Sequence, residues 1–172
     1  MRFEISHEFD APLDVLELAL MSPQLPARLA DHGDMFESIQ TVQHDVGDKT
    51  FERIWKYQAR TPLALLKGYD ITRDMLTWEE HTSYSLSEHT AHWRVIPRPG
   101  IDPDASWRKH FNAEGKFRLD PLSDGRTRRT VTGELEVQVK VIGGAIERVA
   151  VTELRRAYNV EAEALRSLCT LP

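Results

Sequence analysis

The feature that most constrains the fold of this chain is a strand pattern that leads into a long amphipathic helix over the last quarter of the sequence. From Val131 to Val141, apolar side chains alternate with polar ones, which predicts a strand with one buried face. Gly143-Gly144 ends this alternation, and apolar residues then recur at three- and four-residue spacing as far as Leu168, which predicts one helix from about residue 145. Such a helix must bury its apolar side, so the pattern favours a helix laid across a curved antiparallel sheet, an arrangement that often encloses a cavity.

The rest of the chain predicts a first strand, two short helices and five further strands. Phe3 to Phe9 alternate as the first strand, after which Asp10 offers a capping carboxylate and Pro12 suits a first helical turn. Pro23 and Pro26 cannot lie inside one continuous helix, so they divide the following apolar pattern into two short helices. Alternation and turn residues predict strands at about 35–44, 50–58, 76–84, 89–96 and 116–122. The expected fold class is α+β, with about seven antiparallel strands wrapped on the C-terminal helix.

The composition is that of one globular domain, which we expect to span residues 1–172. Of the 172 residues, 41% are hydrophobic, enough for a substantial core. The net charge is -5 and the basic residues are scattered, so no nucleic acid partner is expected. Cys169 is the only cysteine, which excludes an intramolecular disulfide and fits a reducing cytoplasm. No apolar run reaches the length of a membrane span, and Glu4 and Glu8 do not suit a signal peptide.

Two charged residues are predicted to point inward among aromatic side chains. Arg53 shares one face of its strand with Trp55 and Tyr57. Glu80 shares a face with Trp78 on the next strand along the chain. A charge on a buried face needs a partner, so this pattern indicates polar groups inside the fold.

The hairpin that follows has a register that can be predicted from its apolar residues. With Leu86-Ser87 as a tight loop, Trp93 joins the inward face that carries Glu80, whereas His81 and His92 meet on the outer face. If the register slipped by one residue, the apolar residues of the two strands would lie on opposite faces of the hairpin.

Glu161 is the clearest anomaly of the closing helix. Its neighbours three, four and seven positions away are all apolar or aromatic, and include Leu154 and Tyr158. A carboxylate there must find a cation, accept hydrogen bonds, take up a proton or face a cavity. Two interpretations stay open: a structural ion pair with an inward arginine such as Arg53, with Tyr57 or a histidine as further candidate partners, or a group that faces a ligand.

The order of elements resembles the helix-grip fold of the START-like (SRPBCC) superfamily, which includes the major birch-pollen allergen family and the polyketide cyclase/dehydrase group. Four segments are similar to a bacterial START-like domain family of unknown function, namely Thr77–Glu80, Trp93–Pro97, Arg128–Gly133 and Val139–Glu147. That family is itself similar to the PRELI-type phospholipid carriers. The resemblance covers nearly the whole chain and implies a hydrophobic pocket between sheet and closing helix, with lipids or other apolar small molecules as cargo. It supplies no catalytic residues.

The predicted function is therefore the binding or carriage of a lipid or other hydrophobic small molecule in a cavity on the order of 300 to 1,000 Å³. One alternative is a polyketide cyclase/dehydrase-like enzyme that uses Arg53, Glu80 and Glu161 inside the same cavity. A second is a protein-interaction module with a filled core, in which the aromatic residues, Trp107 among them, are ordinary core. The candidate ligand-binding residues are Arg53, Trp55, Tyr57, Trp78, Glu80, Trp93, Leu154, Tyr158 and Glu161.

Other types of site find little support in the sequence. The seven histidines form no paired ligand motif at zinc-site spacing, so neither a metal nor another cofactor is expected. No nucleophile elbow and no phosphate-binding loop occurs. The leucine-containing segment 62–69 is either an entrance loop of the cavity or a buried connection, and we expect a mobile loop at 97–106. The pattern favours no particular oligomeric state.

Overall fold

A computed structural model of the protein describes residues 1–31, 35–60, 77–97, 111–137 and 143–170. These residues form seven strands and three helices. The strands are β1 (Arg2–Phe9), β2 (Phe36–Val46), β3 (Thr50–Ala59), β4 (Thr77–Ser85), β5 (Thr90–Pro97), β6 (Phe111–Pro121) and β7 (Thr127–Val137). The helices are α1 (Leu13–Leu20), α2 (Leu25–Asp31) and α3 (Gly143–Cys169).

The seven strands form one antiparallel sheet in the order β1-β7-β6-β5-β4-β3-β2. Helix α3 packs on β7 and β1 and also contacts α1 and α2. The two short helices connect β1 to β2, the two edge strands of the sheet. This arrangement confirms the predicted α+β helix-grip fold.

Helix α3 is continuous, as predicted, and begins two residues early, at Gly143. On the strand before it, Leu135 is buried, which confirms the predicted inward face. The side chains of Val137 and Val139, predicted to share that face, lie outside the described residues.

Two strands begin earlier than the alternation predicts. β6 begins at Phe111 and β7 at Thr127. The two strands pair residue for residue from Phe111 opposite Val137 to Pro121 opposite Thr127. Each strand is therefore extended by hydrogen bonds to its partner, which the composition of either strand alone does not reveal.

The two short helices confirm the effect of the prolines, whereas the predicted cap is wrong. Pro23 lies between α1 and α2, and Pro26 lies in the first turn of α2, where a missing N–H is tolerated. Pro12, not Asp10, is the N-cap residue of α1 and has an extended backbone (φ -66°, ψ 162°). Because a proline side chain has no acceptor, α1 begins without a side-chain cap hydrogen bond.

The hairpin between β4 and β5 has a longer loop than predicted. Its loop is formed by residues 86–89, and Ser85 pairs with Thr90, so the prediction of a two-residue loop is wrong. The register differs from the predicted one by two residues, and Glu80 pairs with Val95. Since side chains alternate with a period of two, this shift leaves every residue on its predicted face.

The same shift separates the two histidines of the outer face. His81 lies opposite Arg94, and His92 lies opposite Ser83, so the prediction that the two histidines meet is wrong. Instead, His81 Nε2 is 3.0 Å from Glu79 Oε2 on its own strand. Among the described residues, no group of three His, Cys, Asp or Glu residues is arranged to hold a metal ion.

Some predictions concern residues outside the described part of the chain. These are the segment 62–69, the loop at 98–106 and Trp107. In the described part, no helix has both the length and the apolar character needed to cross a membrane.

Candidate ligand site between the sheet and helix α3

Glu161 lies on the inner side of α3 and is 8% exposed. Ala162, Ala164 and Leu165, which follow it along the helix, are fully buried. The prediction that this carboxylate lies inside the fold is confirmed.

Two arginines hold the Glu161 carboxylate from different strands. Arg129 on β7 donates a hydrogen bond from Nη1 to Glu161 Oε2 at 2.6 Å. Arg53 on β3 places Nη2 at 3.7 Å from Oε1, within ion-pair distance. Both arginines are almost completely buried. The expected partner, Arg53, is confirmed, and Arg129 is a closer partner that the sequence analysis missed.

The double contact to Glu161 depends on the curvature of the sheet. Three strands separate β3 from β7. At about 4.8 Å between neighbouring strands, Arg53 and Arg129 would begin roughly 19 Å apart on a flat sheet. On the curved sheet, both side chains reach one carboxylate of α3.

Glu80 adds a second carboxylate to this cluster. Its Oε1 lies 3.4 Å from Arg53 Nη2 and accepts a hydrogen bond from Thr82 Oγ1 at 3.3 Å. Burial raises the pKa of the Glu80 carboxyl, the Arg53 charge opposes this rise, and Glu161 adds to it. The prediction that Arg53 and Glu80 both point inward is confirmed.

Aromatic rings surround the Arg53 end of the cluster. The Arg53 guanidinium lies 3.6 Å from the centre of the Trp55 ring, a cation–π contact. Trp55 in turn lies 6.2 Å from Tyr57, and Tyr57 stacks on Trp78 at 5.3 Å with an interplanar angle of 10°. A wall of aromatic side chains therefore leads from β4 to the buried charges.

Trp93 occupies a space that two glycines leave open. Gly115 and Gly133 pair across β6 and β7, and a Cβ on either would lie 2.6 Å from Trp93 Cζ2. On the helix side, the Tyr158 ring is centred 6.4 Å from the Trp93 ring. The glycines thus let a tryptophan fit between the sheet and α3.

The tyrosines of the site are neutral at physiological pH. Burial raises the pKa of Tyr57 and of Tyr158 well above the usual value, and the nearby Glu80 carboxylate adds to both rises. Each hydroxyl therefore keeps its proton and can donate a hydrogen bond.

Four buried N–H groups in this region have no acceptor in the described part of the chain. They are Arg53 Nε, Trp55 Nε1, Trp93 Nε1 and Arg129 Nε. A buried donor without a partner costs about 1 to 3 kcal/mol. Native interiors contain few such groups, and each calls for an explanation.

The structure brings the predicted ligand-binding residues together to different degrees. Arg53, Glu80 and Glu161 are joined by ion pairs, and the aromatic residues extend from them in the contacts given above. Leu154 is partly buried and packs against the hydrophobic core. Arg129 completes the group, since its guanidinium carbon lies 5.6 Å from the Tyr158 ring.

The sequence contains a pattern from which Arg129 could have been predicted to point inward. It lies two residues before Val131, so it continues the inward alternation of β7 by one further step. The predicted strand begins at Val131 and therefore does not include this arginine.

An open groove of about 860 Å³ lies along the outer side of the sheet. Polar side chains at outward positions contribute to it, among them His81, Arg94, Glu114 and Glu134. No described residue of α3 lines it. Arg53 and Trp93, two residues of the predicted site, also border this groove.

The chain is similar to several solved structures over almost its whole length. They include TTHA0849 from Thermus thermophilus (14% identity, TM-score 0.63) and the Zhui aromatase/cyclase from Streptomyces sp. R1128 (14%, 0.65). A third is norcoclaurine synthase from Thalictrum flavum in complex with dopamine and hydroxybenzaldehyde (16%, 0.63). Each comparison covers 98% of this chain, and 97%, 93% and 85% of the respective structures. At these identities the likeness shows the fold alone, which is the helix-grip fold.

A family model adds a match within the C-terminal half of the chain. Residues 105–168 match the family described as "Protein of unknown function (DUF2505)", which is less than half of the chain. The matched segment contains β6, β7 and most of α3, and with them Arg129 and Glu161. No curated protein matches the sequence.

Proposed function

We propose that the protein binds a hydrophobic small molecule between the inner face of the sheet and α3, as a binding or carrier protein. The observation that carries this proposal is the aromatic wall of Trp55, Tyr57 and Trp78 beside buried charged groups. Pockets for small molecules combine apolar and aromatic walls with a few well-placed polar groups. The norcoclaurine synthase of similar fold holds two small aromatic molecules, which supports the same use of the fold here.

We further propose that the site has a volume on the order of 300 to 1,000 Å³ within one domain formed by residues 1–172. It would be lined by Trp55, Trp78, Trp93 and the inner side of α3. A lipid is one candidate cargo, as the resemblance to phospholipid carriers implies. Native mass spectrometry of the purified protein tests this, because a lipid that co-purifies would add its mass to the chain.

A neutral fluorescent dye tests binding directly. N-phenyl-1-naphthylamine should bind saturably, gain fluorescence and quench the tryptophans, since those residues line the proposed site. Leu154→Trp fills space on the inner side of α3 and should weaken binding. The matched control is Leu18→Trp on α1, where the side chain is 67% exposed, and this variant should bind the dye like the wild type. Absence of saturable binding by the wild type would contradict the proposed function.

A second candidate function, an enzyme of the polyketide cyclase/dehydrase type, is favoured by one specific observation. The pKa of Glu80 is raised by burial, which suits a carboxyl group that donates a proton inside a dry pocket, and Arg53 lies within reach to stabilise negative charge. Turnover of an activated polyketide-like substrate, abolished in Glu80→Gln, would support the enzyme. Binding without turnover supports the carrier.

A further inference from the structure

We propose that the molecule bound in this site carries an oxygen-acceptor group, with a carboxylate as its strongest form, which accepts hydrogen bonds from four buried N–H groups. This inference rests on the proposed binding function and specifies the chemistry of the ligand.

The four donors belong to side chains that are at least nine-tenths buried. Arg53 is 3% exposed, Trp55 1%, Trp93 3% and Arg129 0%. In each, one N–H is shielded from solvent and has no acceptor among the described residues. Four such groups indicate a partner that the described residues do not supply.

The four side chains form one connected group. The Arg53 guanidinium stacks on Trp55, and both arginines reach the Glu161 carboxylate. From there, Arg129 lies 5.6 Å from the Tyr158 ring. The centre of the Trp93 ring lies 6.4 Å from the centre of the same Tyr158 ring. The four side chains are therefore linked through their contacts with Glu161 and Tyr158.

The chemistry of these groups decides what can satisfy them. The Nε–H of arginine and the Nε1–H of tryptophan donate hydrogen bonds and cannot accept them. A ligand with an ammonium group would leave all four without an acceptor, whereas a carboxylate can accept several hydrogen bonds at once.

The charges of the cluster favour an anion over a neutral acceptor. The guanidinium groups of Arg53 and Arg129 bring two positive charges into the cluster. Glu161 contacts both of them, and burial raises the pKa of Glu80, which weakens its ability to balance the second arginine. The remaining positive charge would attract an oxyanion.

Three ligands with the same ring test the inference: 2-naphthylacetate, 2-naphthylethanol and 2-naphthylethylamine. Their affinities are measured by displacement of N-phenyl-1-naphthylamine from the wild-type protein. We expect the carboxylate to bind roughly tenfold or more tightly than the amine, with the alcohol between them. Equal affinities would overturn the inference while leaving the proposed function intact, and would assign the donors to buried water. If the dye itself does not bind, the proposed function fails and the inference falls with it.

Tryptophan variants then test which side chains cause the preference for the carboxylate over the amine. Trp55→Phe and Trp93→Phe each remove one of the four donors and keep an aromatic ring, so each should reduce the ratio of carboxylate to amine affinity several-fold. Trp78→Phe makes the same chemical change at an indole outside the group of four, so it should weaken the three ligands alike and leave the ratio unchanged. An unchanged ratio in both Trp55→Phe and Trp93→Phe would overturn the assignment, provided that thermal melts show folded proteins.

Discussion

At the scale of single residues, the interior of this protein is organised around Glu161. An ion removed from water loses solvation that only close partners can replace. Glu161 obtains them from both sides, with Arg129 at 2.6 Å and Arg53 at 3.7 Å. Arg53 is shared with Glu80, so the four charges form a chain in which removal of Glu161 leaves Arg129 without its carboxylate.

The first prediction concerns the replacement Glu161→Leu. The leucine suits the apolar side of α3 but leaves Arg129 buried without its carboxylate, so the free energy of unfolding should fall by roughly 3 to 5 kcal/mol. Urea denaturation monitored by far-UV circular dichroism measures the change. A fold of unchanged stability with weaker ligand binding would instead support a carboxylate that serves the ligand.

A double variant tests whether the stability lost in Glu161→Leu comes from the unpaired Arg129. In Glu161→Leu/Arg129→Met, both buried charges of the close pair are gone and apolar groups of similar size replace them. Much of the stability lost in Glu161→Leu should therefore return. If the two changes lowered stability additively, Arg129 and Glu161 would not be coupled.

The second prediction concerns the pH dependence that Glu80 adds. Its pKa in the folded protein is raised above the usual value of 4.5 by burial, so the folded state binds more protons than the unfolded state in the range above that value. Its contribution to stability is full below about pH 4.5 and is lost as the pH rises through the raised pKa.

Glu80→Gln removes this contribution because the amide does not titrate. The free energy of unfolding of the variant should therefore fall less than that of the wild type as the pH rises above about 4.5. Urea melts across this range measure the difference, in which other titrating groups such as His7 cancel. Glu114→Gln makes the same change at an exposed position of the outer face and is the control. Parallel pH profiles for Glu80→Gln and the wild type would contradict the prediction.

At the scale of elements, the sequence predicts which face of a strand a residue occupies better than it predicts where the strand begins and ends. The β4–β5 hairpin shows why: its loop is two residues longer than predicted, yet Glu80 and Trp93 keep their inward positions because the shift is even. Strand ends depend on the partner strand, as the pairing of β6 with β7 shows. The composition of one strand therefore predicts its faces better than its limits.

The third prediction concerns the glycine that makes room for Trp93. In Gly133→Ala, the new Cβ would lie 2.6 Å from both Trp93 Cζ2 and Phe3 Cζ, so one of these rings must move. Overpacking of this kind should lower the free energy of unfolding by about 1 to 3 kcal/mol. Gly47→Ala in the β2–β3 turn is the control, since its Cβ would come no closer than 3.3 Å to any neighbour and should be tolerated better. Equal losses of stability in the two variants would contradict this role of Gly133.

At the scale of the whole molecule, α3 joins parts of the chain that are far apart in sequence. It packs on β1 and β7 and on both short helices, and its Glu161 links β3 to β7. Few of these contacts can form unless the sheet is already curved. The fold should therefore depend on all of its elements at once.

The fourth prediction is that the full chain unfolds in one cooperative transition. Because α3 completes the core on one side of the sheet, its loss should expose the core and unfold the strands as well. Tryptophan fluorescence, which reports on the sheet, and far-UV circular dichroism, which is dominated by the helices, should then give the same midpoint in urea. Separate midpoints would show that α3 and the sheet are independent units.

Local patterns in the sequence predict which residues face inward. Alternation with a period of two placed Arg53, Glu80 and Trp93 on the inner face, and the spacing of apolar residues placed Glu161 on the buried side of α3. These patterns are local, since they follow from the backbone geometry of a strand or a helix. The overall order of elements follows from the same patterns together with the prolines and glycines between them.

Which buried charges meet depends on the tertiary structure, and no local pattern predicts it. Arg129 lies 32 residues from Glu161 along the chain, and its 2.6 Å contact depends on how far the sheet curves around α3. The same holds for the Nε–H groups of Arg53 and Arg129 that lack acceptors among the described residues. Which groups find a partner depends on distances across the whole fold, and no local pattern encodes those distances.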